Sequence, residues 1–210
     1  MALVPSGFTL RNEQRDFVEW HRGRRPYVFW ALDLDTPAVA ARVAHARTDL
    51  GDLLLAGYCR QPHITLDLCG FAGQVPLAAD EFAPDYLAAQ FAALASVGPA
   101  PFTVAIGGLA SFSSAPYLTV GDPAGGIAAV RRCLAVDGEN RLNVDYVPHV
   151  TVGLYAEAWP VRQVLARLAA VAVDEPLCCL VERISLMSYE PAEIGGRLTC
   201  LASHPLGAGG

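Results

Sequence analysis

A repeated heptad constrains this 210-residue chain more than any other feature: Pro62-His63-Ile64-Thr65-Leu66-Asp67-Leu68 and Pro148-His149-Val150-Thr151-Val152-Gly153-Leu154. Each copy reads as a short apolar β-strand opened by proline. Side chains two apart on a strand share a face, so His63 stands beside Thr65 and His149 beside Thr151. With five His and eight Thr in the chain, two chance His-x-Thr matches, each preceded by Pro, have a probability of roughly one in ten thousand. The repeat therefore predicts a fold with two equivalent imidazole–hydroxyl pairs.

A second layer of repetition surrounds the heptads. Pro26-Tyr27 opens the apolar run Tyr27–Leu34, which leads to Thr36-Pro37; Pro116-Tyr117 opens Tyr117–Val120, which leads to Asp122-Pro123. In both places an N-cap residue precedes proline at the first helical position. The spacing predicts helices over Ala38–Leu50, stopped near Gly51, and over Ile127–Val136, stopped at Gly138. From Tyr27 to His63 is 36 positions, and from Tyr117 to His149 is 32. A strand–helix–His-strand unit thus occurs twice, which predicts two pseudo-equivalent lobes. Between and after the units, the pattern predicts a helix over Pro84–Val97 and a strand over Pro101–Ser113, irregular at Gly107-Gly108. It then predicts an amphipathic helix over Val161–Ala172. Two terminal strands, Leu177–Tyr189 and Leu198–Ser203, are joined by a hairpin around Gly195-Gly196. Several strand pairs are linked too tightly for parallel crossovers. The expected class is α+β: a bilobal, pseudo-symmetric fold in which two antiparallel sheets line a central cleft with helices packed outside. No low-complexity linker divides the chain, so residues 1–210 read as one bilobal domain with loose ends at about 1–7 and 206–210.

Composition narrows the partners. Hydrophobic residues make up 53% and charged residues 17% of the chain, enough for a substantial core. The net charge is −6, with fifteen Arg and no Lys, so no lysine nucleophile or Schiff base is available. The acidic balance argues against an extended nucleic-acid surface but leaves room for a nucleotide or an RNA end held by a few Arg. No apolar run approaches the roughly 20 residues of a membrane span, and no signal-peptide pattern opens the chain. The expectation is a cytoplasmic monomer with no membrane partner. Cys59, Cys69, Cys133, Cys178, Cys179 and Cys200 show neither a Cys-x-x-Cys pair nor zinc spacing with His, and are read as reduced and without function.

Two lobes facing across a cleft would bring both imidazoles and both hydroxyls to one site. Histidine titrates nearest neutrality, so one ring can be protonated while its partner is neutral. In-line displacement at phosphorus needs that combination: a base on the nucleophile and an acid on the leaving oxygen. Thr65 and Thr151 would hydrogen-bond the non-bridging phosphate oxygens, and the scheme requires no metal and no cofactor.

The twin Pro-His-x-Thr-apolar strands, with their spacing and strand–helix setting, resemble the two-histidine (2H) phosphoesterase superfamily. That group includes bacterial proteins called 2′-5′ RNA ligases and RNA 2′,3′-cyclic phosphodiesterases. The resemblance covers about Tyr27 to Ser203. It implies a bilobal fold, metal-independent chemistry on a 2′,3′-cyclic phosphate or a 2′-5′ phosphodiester, and a site made of His63, Thr65, His149 and Thr151. It also implies one His as base on water and the other as acid on the leaving hydroxyl, assigned here as His149 and His63 respectively. RNA-ligase-like members often carry Ala-Arg soon after the second motif, where this chain reads Gly153-Leu154.

Other residues are weighed individually. Strand alternation puts Tyr155 on the face of His149 and Thr151, where it would line the cleft and stack on a base; closing a strand end is the plain alternative. Asp67 falls on the face of His63 and is read as a cleft-rim polar residue outside the site. His21-Arg22-Gly23-Arg24-Arg25 reads as a solvated basic segment. Arg60 and Arg141 are placed near a cleft without belonging to a motif, while His45 and His204 are read as a helix surface and a tail residue. No Gly-x-Ser-x-Gly elbow, P-loop or dinucleotide fingerprint occurs. Two rivals to the RNA-directed phosphoesterase remain open. One is a non-catalytic nucleotide- or RNA-end-binding module on the same fold; the other is a phosphoesterase for a small non-RNA cyclic-phosphate metabolite.

Overall fold

A constant offset of 86 positions relates the two halves of the structure, a computed structural model that describes residues 7–137, 146–171 and 175–207. The offset carries His63 onto His149 and Thr65 onto Thr151, and their partners Asp33 and Ala31 onto Thr119 and Tyr117. It also carries the cap Thr36 onto Asp122. Tyr27 and Tyr117 are not equivalents: Ala31, not Tyr27, is the residue opposite Thr65, so the two Pro-Tyr steps open their strands four residues out of register.

The chain begins with α1 (Val18–His21), β1 (Tyr27–Asp33) and α2 (Pro37–Asp49), then continues through β2 (His63–Ala72), β3 (Glu81–Phe82) and α3 (Pro84–Val97). The second half runs β4 (Phe102–Ser111), β5 (Pro116–Gly121), α4 (Gly126–Leu134), β6 (His149–Thr151) and α5 (Val161–Ala170). It ends with β7 (Leu177–Val181), β8 (Arg183–Tyr189) and β9 (Thr199–Pro205). One sheet has the order β3-β2-β1-β8-β9 and the other β6-β5-β4-β7. Among the described residues all strand pairings are antiparallel except the short edge pair β2–β3. The expected α+β architecture with two sheets is the observed one.

Local chemistry explains the helix boundaries. The Thr36 hydroxyl accepts the Val39 amide at 3.4 Å and Pro37 occupies the first turn of α2. At α4 the equivalent acid does more. Asp122 accepts the Gly126 and Ile127 amides through its two oxygens, both at 2.9 Å. Pro123 does not start this helix, because Gly125 donates to the Asp122 carbonyl at 3.1 Å and closes a turn first. The predicted stop at Gly138 lies outside the described residues, as do residues 1–6 and 208–210 of the chain ends; α4 itself ends at Leu134.

The stretch Leu177–Tyr189, read from sequence as one strand, is two. It breaks at Glu182, and β7 pairs with β4 while β8 pairs with β1 in the other sheet. Apolar alternation runs through the break, which is why the sequence did not show it. One hydrophobic cluster includes both sheets: Val28, Trp30, Leu32 and Ile64 from the first, Val104, Ile106, Leu118 and Val150 from the second, with α2 and α4 side chains between. On its other face the first sheet packs Phe29, Ala31, Met187 and Leu198, and there the site lies.

Strand β2 is bulged twice. Thr65 and Asp67 face consecutive residues of β1, leaving Leu66 as an extra residue, and Leu68 and Gly70 likewise enclose Cys69. The bulge frees carbonyls that the second lobe uses. Arg131 of α4 donates to the Leu66 carbonyl and the Tyr146 hydroxyl to the Thr65 carbonyl at 2.9 Å. The Arg131 guanidinium also lies over the Tyr146 ring, 3.7 Å from its centre. A bulge in one His strand is thus the anchor for the segment that delivers the other.

Candidate active site

Both histidines open their strands, and both are oriented the same way. His63 Nδ1 donates to the Gln61 carbonyl at 2.8 Å, and His149 Nδ1 donates to the Val147 carbonyl at 2.7 Å. In each case the acceptor is two residues back along the chain. A proton fixed on Nδ1 leaves Nε2 of each neutral ring as the free lone pair, ready to accept a proton. Burial pushes His63 down to about 4, with Arg60 and His149 nearby acting in the same direction. Burial also lowers His149, the more exposed ring of the two.

His63, Thr65, His149 and Thr151 line one open cavity of about 430 Å³, together with Tyr58, Arg60, Phe112, Ser114, Ala115, Leu154 and Gly195. The structure therefore brings together the two pairs that the heptads predicted. Aromatic rings hold the imidazoles from behind. Phe112 and Tyr117 stack with centroids 4.3 Å apart, and His149 packs edge-on against Phe112 at 4.8 Å. Phe29 supports His63 at 5.7 Å. Among the described residues no Asp or Glu lines the cavity, and no group of three or more His, Cys, Asp and Glu gathers as a metal-ligand set.

Two sequence readings are corrected. Tyr155 does not line the cleft: it is 0% exposed, packed with Leu50, Leu53, Val164 and Leu168. Its hydroxyl is hydrogen-bonded to Ser111 Oγ at 2.5 Å. Strand β6 ends at Thr151, so the two-residue alternation that put Tyr155 beside His149 does not reach it. Asp67 is not at a rim: it is 0% exposed and accepts from Gln90 Nε2 at 3.1 Å on the helix side of the sheet. The extra residue Leu66 reverses the facing of Asp67 and Leu68, up to the second bulge at Cys69.

The basic segment His21–Arg25 is solvated at Arg22, Gly23 and Arg25 but held by the fold at His21 and Arg24. Arg24 pairs with Asp80 at 2.8 Å and Glu81 at 2.9 Å, and His21 contacts Asp16 at 2.5 Å. His45 lies on the exposed surface of α2, whereas His204 belongs to β9, opposite Ile184. Arg141 lies outside the described residues. Arg60 is in the cavity. Tyr58, Phe112 and Ser114 were missed by sequence reading because they come from loops whose convergence only the tertiary fold creates.

Among the described residues no helix is long and apolar enough to cross a membrane. A family model described as the 2′-5′ RNA ligase superfamily matches residues 35–193. No curated protein sequence matches the chain. Similar solved structures include E. coli LigT complexed with 3′-AMP, 20% identical, covering 87% of this chain and 99% of that one, with a TM-score of 0.58. The same protein complexed with ATP is 18% identical, with coverage of 87% and 99% and a TM-score of 0.57. TT0787 of Thermus thermophilus is 19% identical, covering 87% of this chain and 98% of that one, with a TM-score of 0.58. At such identities the likeness is one of fold.

Proposed function

Because the chain belongs to the 2′-5′ RNA ligase superfamily, we propose that it is a metal-independent phosphoesterase for a 2′,3′-cyclic phosphate or 2′-5′ phosphodiester on a nucleotide or RNA end. The observation that carries this reading is the meeting of His63, Thr65, His149 and Thr151 in one cavity without a carboxylate among its described lining residues. The complexes of LigT with 3′-AMP and ATP support a nucleotide as the ligand class.

The chemistry follows from the geometry. With the phosphorus between the imidazoles, the two threonine hydroxyls donate to the non-bridging oxygens and hold the phosphate for in-line attack. His149, the more exposed ring, takes a proton from water through Nε2 as the new P–O bond forms. His63, protonated on Nε2, gives that proton to the departing ribose oxygen as the old P–O bond breaks, leaving a monophosphate. Burial disfavours the charged form of both rings in the free protein. The acid therefore acquires its proton together with the anionic substrate, whose charge favours the imidazolium.

That requirement sets the pH dependence. The profile of kcat/KM reports the free enzyme's acid and base, and both lie below the ordinary histidine value. Raising the pH above both values removes the acid's proton, and lowering it below both protonates the base. A bell with its maximum below about pH 6.5, the ordinary histidine value, is expected for hydrolysis of a nucleoside 2′,3′-cyclic monophosphate. A maximum at about pH 8 or above would contradict the assignment.

The test of the function is incubation of the purified protein, in EDTA, with the four nucleoside 2′,3′-cyclic monophosphates and a short RNA ending in a cyclic phosphate. Chromatography would show a 2′- or 3′-monophosphate. Loss of turnover in chelator, restored by a divalent ion, would reject metal independence. Tight binding with no turnover of any substrate would instead identify a binding module.

A further inference from the structure

We propose that Arg60 binds a second phosphate of the substrate, so that the site selects a nucleotide or RNA end with an additional phosphate over a nucleoside cyclic monophosphate. This rests on the phosphoesterase reading above and names the substrate class within it.

Among the described residues, Arg60 is the only Arg in the lining of the histidine cavity, which no acid lines, in a chain with net charge −6. A lone cation in a concave site free of carboxylates attracts anions there, against the sign of the whole molecule. Rings link it to the reacting centre. The Arg60 guanidinium lies over the Tyr189 ring, 4.4 Å from its centre. Tyr189 packs against Phe29 at 5.9 Å, and Phe29 against His63 at 5.7 Å. A row of rings thus connects Arg60 to His63, and the histidines and threonines already provide for the phosphate being cleaved.

The guanidinium is also available. Its only side-chain hydrogen bond among the described residues is from Nε to the Gly196 carbonyl at 3.4 Å. The two terminal nitrogens, the fork that grips a phosphate through two oxygens, are not engaged by any described residue. The backbone beneath is fixed. Arg47 of α2 donates to the Arg60 carbonyl at 3.4 Å and to the Val152 carbonyl at 2.7 Å, tying the approach to the first motif to the end of the second. Arg60 therefore offers, from the first lobe, the cation that Gly153-Leu154 does not offer from the second; Leu154 lines the same cavity with an apolar side chain.

Two measurements on the full chain test this together. Binding of adenosine 3′,5′-bisphosphate and of 3′-AMP is titrated calorimetrically to the wild type, Arg60→Gln and Arg60→Lys. Turnover is then compared for adenosine 2′,3′-cyclic monophosphate and its 5′-phosphorylated form. A fork bound to phosphate is worth about tenfold or more, so the wild type should favour the bisphosphate and the 5′-phosphorylated substrate by at least that ratio. Arg60→Gln should bring both ratios close to one, with Arg60→Lys in between. Equal affinity of the wild type for the two ligands, or an undiminished ratio in Arg60→Gln, would overturn the proposal. Selective binding without turnover would uphold the role of Arg60 and reject the phosphoesterase reading, so the two failures are distinguishable.

Discussion

Replacing either His63 or His149 with Ala should lower kcat/KM on a cyclic phosphate by about 10³-fold, and replacing both should cost little more than replacing one. The first magnitude follows from losing proton transfer to or from a reacting group, which supplies about 10²–10⁴-fold. The non-additivity follows from concerted action: once either proton transfer is missing, the other no longer has a developing charge to relieve. Substrate binding should survive better than turnover, since Thr65 and Thr151 would still hold the phosphate. His63 is only 8% exposed, so a thermal melt must accompany the kinetics, and His63→Gln, closer in volume, serves as the second variant. Retention of more than a tenth of wild-type activity in either folded variant would remove that ring from the chemistry.

The largest expected loss of stability lies away from the cavity. Gln90→Leu should destabilise the protein by about 3 kcal/mol or more, since each buried polar group left without its partner costs about 1–3 kcal/mol. Gln90, 0% exposed on α3, accepts the Trp30 indole N–H at 2.8 Å and donates to the Leu134 carbonyl at 2.9 Å and to Asp67. One amide therefore links α3 to β1, to β2 and to the end of α4. A leucine fills similar space and answers none of these groups. Urea unfolding with an unchanged m-value would measure the loss, and a change below about 1 kcal/mol would show that the network relaxes onto other partners. Because Gln90 touches no part of the cavity, the folded variant should retain its activity.

The elements legible in the sequence were those specified locally. Pro84 and Gly98 bracket α3 as the N-terminal proline and C-terminal glycine rules require, and the Gly107-Gly108 step coincides with the register shift in β4. The heptads also revealed the centre of the site, because four residues sufficed to define each half. Tyr155 and Asp67 were misplaced for one shared reason. Alternation predicts a facing only while the ladder is unbroken, and the ladder ends after Thr151 in one case and gains Leu66 in the other. Tyr58 and Phe112 reach the cavity through tertiary convergence, to which no spacing rule applies. The strand break at Glu182 is of the same kind: only the identity of the pairing partner distinguishes β7 from β8.

That break also determines an order of events. The second sheet, β4 to β7, is contiguous in the chain, whereas the first is assembled from β1–β3 and from β8–β9 on the far side of it. As the chain emerges during synthesis, both histidines are present before β8 appears. Until then β1 has an open edge, and Phe29 and Ala31 lack the Met187 and Leu198 cover they have in the finished molecule. A nascent or prematurely stopped chain would thus hold the histidine pair on an incomplete, adhesive sheet. The site is completed last, with the strand that closes the first lobe, and a fragment that has both histidines still lacks the finished cavity.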